Sequence, residues 1–273
     1  MNAVVKLSST ATREFWEIPI LFEDAHLLAL DKPAGLAVSP DRIEPDRPSL
    51  MGLLHAGIAA GKPWASERSL TYLSPAHRRD AEVSGVMLLA KSKAVLVTLA
   101  NWFGSAKGGQ KYVALVRGAP SSDHLELKAK LAPHPIRPGL LCVDAKRGKL
   151  TCTRFAVAEK FSGYTLLHGE PLTDRTHQVR AHLRHAGLPV VADEAYGGQP
   201  LLLSRLKPAY RLKDGRTERP LTSHAALHVE EMALPHPVTG ELLTIRAAWP
   251  KELTVAVKYL RRYALIGGDI TDG

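Results

Sequence analysis

Three short segments of the 273-residue chain carry side chains suited to chemistry. The first is His77-Arg78-Arg79-Asp80-Ala81-Glu82-Val83-Ser84-Gly85, which runs directly into the apolar stretch Val86–Ala90. An acid beside two arginines at the mouth of a buried strand is an odd choice for packing alone. Adjacent cations favour the ionised carboxylate, and such a carboxylate in a cleft can attack a sugar carbon. The same residues also suit a salt-bridged or capping aspartate in a loop, since ion-pair networks perturb acids without any catalysis. The second segment runs from Glu170 to Arg180, a strand leading into a helix. On that helix His177, Arg180 and Arg184 share one face, opposite Val179 and Leu183. Helix N-termini favour phosphates, although a charged run is also the usual make-up of a solvated face. The third is Gln110–Val116, where Tyr112 alone reads as a core aromatic in a strand.

The elements that must position these residues follow from periodicity and punctuation. Ile18–Phe22 and Leu27–Asp31 read as strands around a turn at Glu23–His26. Lys32-Pro33-Ala34-Gly35 then breaks the chain. Ser49 caps a helix carrying Leu50, Leu53, Leu54 and Ile58, and Ser92 caps another that runs to Phe103 and stops at Gly104. Val86–Ala90 reads as a strand buried on both sides, and Lys111–Arg117 as a further strand. Residues 118–150 read as strands joined by loops, and Phe155–Phe161 with Tyr164–Leu172 as a hairpin. A helix is predicted over Thr176–Ala186, ended by Gly187 and Pro189, with a strand at Leu188–Ala192. A basic loop spans 197–222, with Lys207, Arg211, Lys213, Arg216 and Arg219. Strands follow at His224–Leu234 and Leu242–Trp249, and Pro250 opens a last helix. Strands outnumber helices and many connections are hairpin-short. The fold expected is α+β, a large mixed, mostly antiparallel sheet flanked by helices and loops.

Composition narrows the classes. The chain is 45% hydrophobic and 23% charged, with 36 Lys+Arg against 27 Asp+Glu and two cysteines. These proportions exclude a disordered, collagen-like or disulfide-scaffolded chain. No apolar run reaches the roughly 18 residues of a membrane-spanning helix, and MNAVVKLSSTATREF has no signal-peptide apolar core. The cysteine count fits a reducing, cytoplasmic setting, with a Cys142–Cys152 disulfide as the minority reading. The formal charge of +9 favours a polyanionic partner through counterion release, while a merely basic protein has the same sum. His182 and His185 stand three apart on the predicted helix, but no third ligand completes a metal spacing and HExxH is absent.

Taken together the segments resemble the RluA-type RNA pseudouridine synthases. Phe22-Glu23-Asp24 followed by Asp31-Lys32-Pro33-Ala34-Gly35 is similar to that family's opening motif. His77-Arg78-Arg79-Asp80 with Ser84-Gly85 resembles its HRLD-x-x-[TS]-S-G segment. Lys111-Tyr112 with Ala114, Val116 and Gly118 resembles KxYxAxVxG. Arg175-Thr176-His177-Gln178-Val179-Arg180-Ala181-His182-Leu183, with Gly187, Pro189, Asp193 and Tyr196-Gly197, resembles GRTHQIRVHL…G-x-P…GD-x-x-YG. The likeness runs from about Ile20 to the C-terminal helix.

That resemblance implies isomerisation of uridine to pseudouridine in tRNA or ribosomal RNA, without a cofactor or metal. It makes Asp80 the catalytic aspartate and Tyr112 the phenol that stacks on the target base and assists loss of the C5 proton. It makes Arg180 the basic partner of Asp80, and Arg78 the residue that helps expel the nucleotide from its stack. Leu183 walls the base pocket, and Arg79, Arg175, His177 and Gln178 complete the substrate contacts. Three positions depart from the pattern. Arg79 replaces a leucine, adding charge beside Asp80 or pointing toward RNA. Val83 replaces a hydroxyl residue, and Asp174 replaces a glycine, where it suits the N-cap of the 176–186 helix. The organisation expected is a leader at 1–17, a catalytic domain at 18–265 and a tail at 266–273, without an S4-type module, acting as a monomer. A noncatalytic RNA-binding protein and a glycosidase-like hydrolase pairing Asp80 with Glu82 are the competing classes.

Overall fold

The structure, a computed structural model, describes residues 3–40, 46–105, 109–212 and 215–266. Lys213 and tail residues 267–273 lie outside these. The span read as one catalytic domain resolves into two compact units. Unit 1 comprises Met1–Gln110 and Val229–Ala248, and unit 2 comprises Lys111–His228 and Trp249–Gly273.

Unit 1 contains strands β1 (Val4–Ser8), β2 (Phe15–Glu23), β3 (Leu27–Lys32), β4 (Ser74–Pro75) and β5 (Ser84–Ala90), with helices α1 (Leu50–Ala59), α2 (Pro63–Ser66) and α3 (Lys93–Gly104). The sheet order is β1-β2-β3-β5, and β4 pairs with β5. The pairings of β1 with β2, β2 with β3, and both β3 and β4 with β5 are antiparallel. Two later strands, β11 (Leu227–Pro235) and β12 (Leu242–Arg246), pair with each other, and β11 lies beside β5. All seven residues of β5 are buried, as its unbroken apolar run predicts. Ser49 Oγ accepts from Gly52 N, and Ser92 Oγ from Val95 N, so both helix starts carry the predicted caps. One expectation is corrected. Residues 4–8 are not a leader outside the fold, because alternation turns Val5 and Leu7 into the core while β1 pairs along β2.

Unit 2 contains β6 (Gln110–Arg117), β7 (His124–Pro133), β8 (Leu141–Val143), β9 (Lys149–Phe161) and β10 (Tyr164–Pro171), with α4 (Gln178–His185) and α5 (Lys251–Tyr263). Its sheet order is β6-β10-β9-β7-β8, antiparallel throughout. The buried face of α5 is Leu253, Ala256, Val257 and Leu260. Two expectations fail here for local reasons. Leu188–Ala192 forms only a single bridge, Val190 to Val116: Pro189 has no N–H for a ladder and Ala192 turns to φ +60°. The helix predicted from Thr176 begins at Gln178, because His177 adopts φ +56°. His177 is therefore the cap, and Asp174 is exposed and upstream of it. Both cysteines are free thiols, Cys142 on β8 and Cys152 on β9, with β7 between them in the sheet.

Candidate functional site

In unit 1 the candidate acid sits on the loop between β4 and β5. Val83 N–H donates to Asp80 O at 3.2 Å, closing a tight turn over residues 80–83. Val83 is buried, so the missing hydroxyl is replaced by packing. The turn is tied down from below by Lys32, which is wholly buried at the end of β3. Its Nζ donates to Pro33 O at 2.7 Å, Leu36 O at 2.8 Å and Ala81 O at 3.0 Å. Ala81 O also accepts from Gly35 N at 2.9 Å. The interruption read at Lys32–Gly35 is thus the clamp on the Asp80 loop. Burial pulls the Lys32 amine down to about 7, with Arg79 pushing the same way and Asp80 and Glu82 opposing. Three carbonyl acceptors match the three protons of an ammonium, so the geometry solvates the charged form with backbone.

The residues flanking Asp80 turn inward. Leu88 N donates to His77 Nε2 at 3.0 Å, so the ring proton sits on Nδ1 and faces Arg78 O at 3.2 Å. Burial, with Arg79 nearby, holds His77 down to about 3, and the ring is neutral. Arg79 is 7% exposed and donates through Nη1 to Gln110 Oε1 and through Nη2 to Val86 O. Its expected reach toward RNA is corrected: the extra arginine braces the strand that follows. Gly85 has φ +105°, and a Cβ there would collide with the Val229 carbonyl, so only glycine passes. Arg78 remains exposed and Asp80 half-buried.

In unit 2 Tyr112 is half-buried on β6, opposite Gly169 of β10. A Cβ on Gly169 would lie 2.9 Å from Phe155 Cε1, so the glycine makes room for the Phe155 ring alongside Tyr112. Tyr112 is therefore not the fully buried core aromatic that a lone strand tyrosine suggests. Arg180 is 3% exposed on α4 and gripped by Asp193, Nε to Oδ2 and Nη2 to Oδ1, both 2.7 Å. The fork is a bidentate, charge-assisted pair. The Arg180 guanidinium also lies 4.9 Å from the Tyr196 ring centroid. Tyr196 Oη accepts from Leu141 N at 2.9 Å and bonds His177 Nδ1 at 3.1 Å. Asp193 and Tyr196 were matched in the sequence motif without being given a task; their distance along the chain hid the contact with Arg180.

Other predicted contacts are structural. Gln178 is 3% exposed; its amide donates to Cys152 O and Thr153 Oγ1 and accepts from Thr173 Oγ1. The first two bonds dock α4 on β9 and the third ties it to the turn after β10, which removes Gln178 from the substrate-facing set. Leu183 is fully buried and packs the same helix. His182 lies between Thr151 and Thr153 at 2.8 and 3.0 Å. Thr151 Oγ1 donates to Ala129 O, so His182 Nε2 carries the proton toward Thr151 and Nδ1 accepts from Thr153. Burial draws its pKa down to about 4, and both nitrogens are occupied, so it is not poised as a ligand. Among the described residues no three His, Cys, Asp or Glu side chains cluster to hold a metal. His177 is half-buried, and Arg175 is exposed just before α4.

Residues 26–185 match the profile of the family described as RNA pseudouridylate synthase. The ribosomal large subunit pseudouridine synthase C of Yersinia pestis is 33% identical over 248 residues, 90% of this chain and 70% of the relative. That of Escherichia coli K12 is 33% identical over 250 residues, 89% of this chain and 70% of the relative. Among solved structures, human RNA pseudouridylate synthase domain containing 4 superposes with a TM-score of 0.65 at 20% identity, covering 89% of this chain and 92% of that one. Domain containing 1, also human, gives 0.62 at 20% identity, covering 88% and 87%.

Proposed function

The chain belongs to the RNA pseudouridylate synthase family of isomerases, and from that premise we propose that it converts uridine to pseudouridine in large-subunit ribosomal RNA through Asp80. The observation that carries this is the loop itself. His77, Arg79, Val83 and Ser84 are buried while Asp80 and Arg78 are left toward the surface. A loop that buries its apolar and bracing members and offers an acid and an arginine is built to present them.

The reaction breaks the bond between C1′ and N1, turns the uracil, joins C5 to C1′, gives up the C5 proton and leaves N1 carrying a proton in its place. No electron pair leaves the nucleotide and no group is transferred elsewhere, so the chemistry calls for no cofactor. The target must first leave its stack, at a cost of a few kcal/mol. Arg78 helps displace it, and Tyr112 supplies a stacking face, worth about 1–3 kcal/mol for an aromatic on a base. The Asp80 carboxylate adds to the sugar at C1′ as N1 leaves, or to the base at C6, and in either case that bond breaks again once C5 joins C1′; Tyr112 assists proton loss from C5. Arg180 is held in place by Asp193, and Arg175 and His177 contact the RNA. No helix of the described residues is long and apolar enough to cross a membrane, and the cytoplasm is where the substrate would be met.

The test is pseudouridine mapping of ribosomal and transfer RNA with the gene deleted, followed by reconstitution with purified protein. Asp80→Asn should abolish product while RNA affinity stays within several fold of wild type. Turnover near the wild-type rate in that variant would refute the role. RNA binding without product by the wild type would favour a binding module, and release of free uracil a hydrolase.

A further inference from the structure

Unit 2 has a cleft of about 490 Å³ beside α4 that the assignments above leave unused. Its floor is a small apolar cluster of its own, with Leu140, Leu141, Val143, Ala195 and Tyr196. Its rim carries two cations, Arg137 and Arg184, beside His134 and His185, against a single acid, Glu194. The loop carrying Arg137 is pre-shaped. His134 Nδ1 accepts from Ile136 N and Arg137 N at 3.2 and 3.1 Å, and His134 N donates to Leu140 O at 2.8 Å. On the opposite rim the Arg184 guanidinium lies over the Gly197 backbone.

Some exposed arginines of this protein are engaged in ion pairs. Arg147, Arg154, Arg246 and Arg261 are each paired with a carboxylate, Asp144, Glu126, Glu231 and Glu159. Among the described residues neither Arg137 nor Arg184 forms an ion pair. Two such guanidiniums over an apolar floor match a ligand with an anionic link and flat apolar faces, which is a nucleotide strand. The floor also touches the site: Tyr196 bonds Leu141 N on one side and stacks beneath Arg180 on the other.

We infer that this cleft is a second RNA subsite, in which Arg137 and Arg184 hold a phosphodiester of a nucleotide other than the one isomerised. The inference rests on the RNA reading above and adds a place where the strand is held.

The test is equilibrium binding of a large-subunit ribosomal RNA transcript from the source organism over a salt series. Arg137→Ala with Arg184→Ala should weaken binding about tenfold and flatten the slope of log K against log salt by about 0.7, the loss of one single-strand phosphate contact. Arg137→Lys with Arg184→Lys should keep the wild-type slope. Arg246→Ala, which removes a charge from unit 1, should leave the slope unchanged. A double alanine variant with the wild-type slope overturns the subsite, as does equal flattening by Arg246→Ala. Pseudouridine formation by the wild type is scored on the same transcript. Its absence alongside intact, rim-dependent binding would sink the catalytic reading and leave the subsite standing.

Discussion

The Asp80 loop is anchored by Lys32 through bonds from side chain to backbone, whereas Arg180 is itself held by a pair of side-chain bonds. Lys32 spends its three protons on the carbonyls of Pro33, Leu36 and Ala81. It fixes the path of a loop and leaves the acid on that loop half-buried. Arg180 instead meets Asp193 in a closed fork, with both side chains nearly inaccessible. The first arrangement holds a main chain and lets the functional group project from it. The second holds the functional group directly and leaves little freedom at its head. A buried charge needs compensation in either case, but backbone carbonyls supply it without adding an opposite charge near the acid.

The comparison is broken most severely at Asp193. Asp193→Ala strands the buried guanidinium and should cost about 3–5 kcal/mol, read as a shift in the denaturant midpoint, with activity lost as well. Asp193→Leu combined with Arg180→Met removes both charges and should recover most of that stability without recovering product. If the double variant stays as unstable as the single, the pair is not a closed charge fork.

Lys32→Met should cost about 2–4 kcal/mol, since three carbonyls lose a donor and only Ala81 O retains another. Activity should fall with RNA affinity little changed, because the loop and not the RNA surface is loosened. A stable variant with full turnover would show that the clamp does not position Asp80.

A smaller effect is expected from pH. His182 is held down to about 4 in the folded protein, so the unfolded chain binds more protons as pH falls from about 6.5 toward 4. Stability contributed by the neutral ring is present above that window and lost within it. His182→Gln should therefore flatten the decline in melting temperature below pH 6.5. An unchanged decline would assign it elsewhere, with His77 the next group of the same sign. Asp31 acts oppositely, because burial raises its carboxyl to about 6 and favours the folded state as pH falls.

Most elements were legible in the order of residues because their causes are local. The Ser49 and Ser92 caps, the apolar run of β5 and the Ser162–Gly163 hairpin each depend on neighbours in the chain. The misreadings share another cause. Residues 4–8 lie in a stretch read as a polar leader, yet Val5 and Leu7 alternate into the core while the strand pairs with β2. His177 is an unfavourable left-handed residue that no propensity predicts, and its bond to Tyr196 accompanies the late helix start. Arg79 and Gln178 belong to motifs suggestive of substrate contact. Their burial was invisible because Gln110, Cys152 and Thr153 lie far from them in sequence.

Which residue types are available for chemistry was settled by the amino-acid order: an acid between arginines, a strand tyrosine and an arginine on a helix. Their likeness to one family was legible there too, since motif spacing survives without coordinates. Which of the charged residues turn inward was decided by tertiary structure. A side chain's partner is chosen by what folding brings within about 3 Å, and Lys32 with Ala81, or Arg180 with Asp193 and Tyr196, become neighbours only when distant turns pack together.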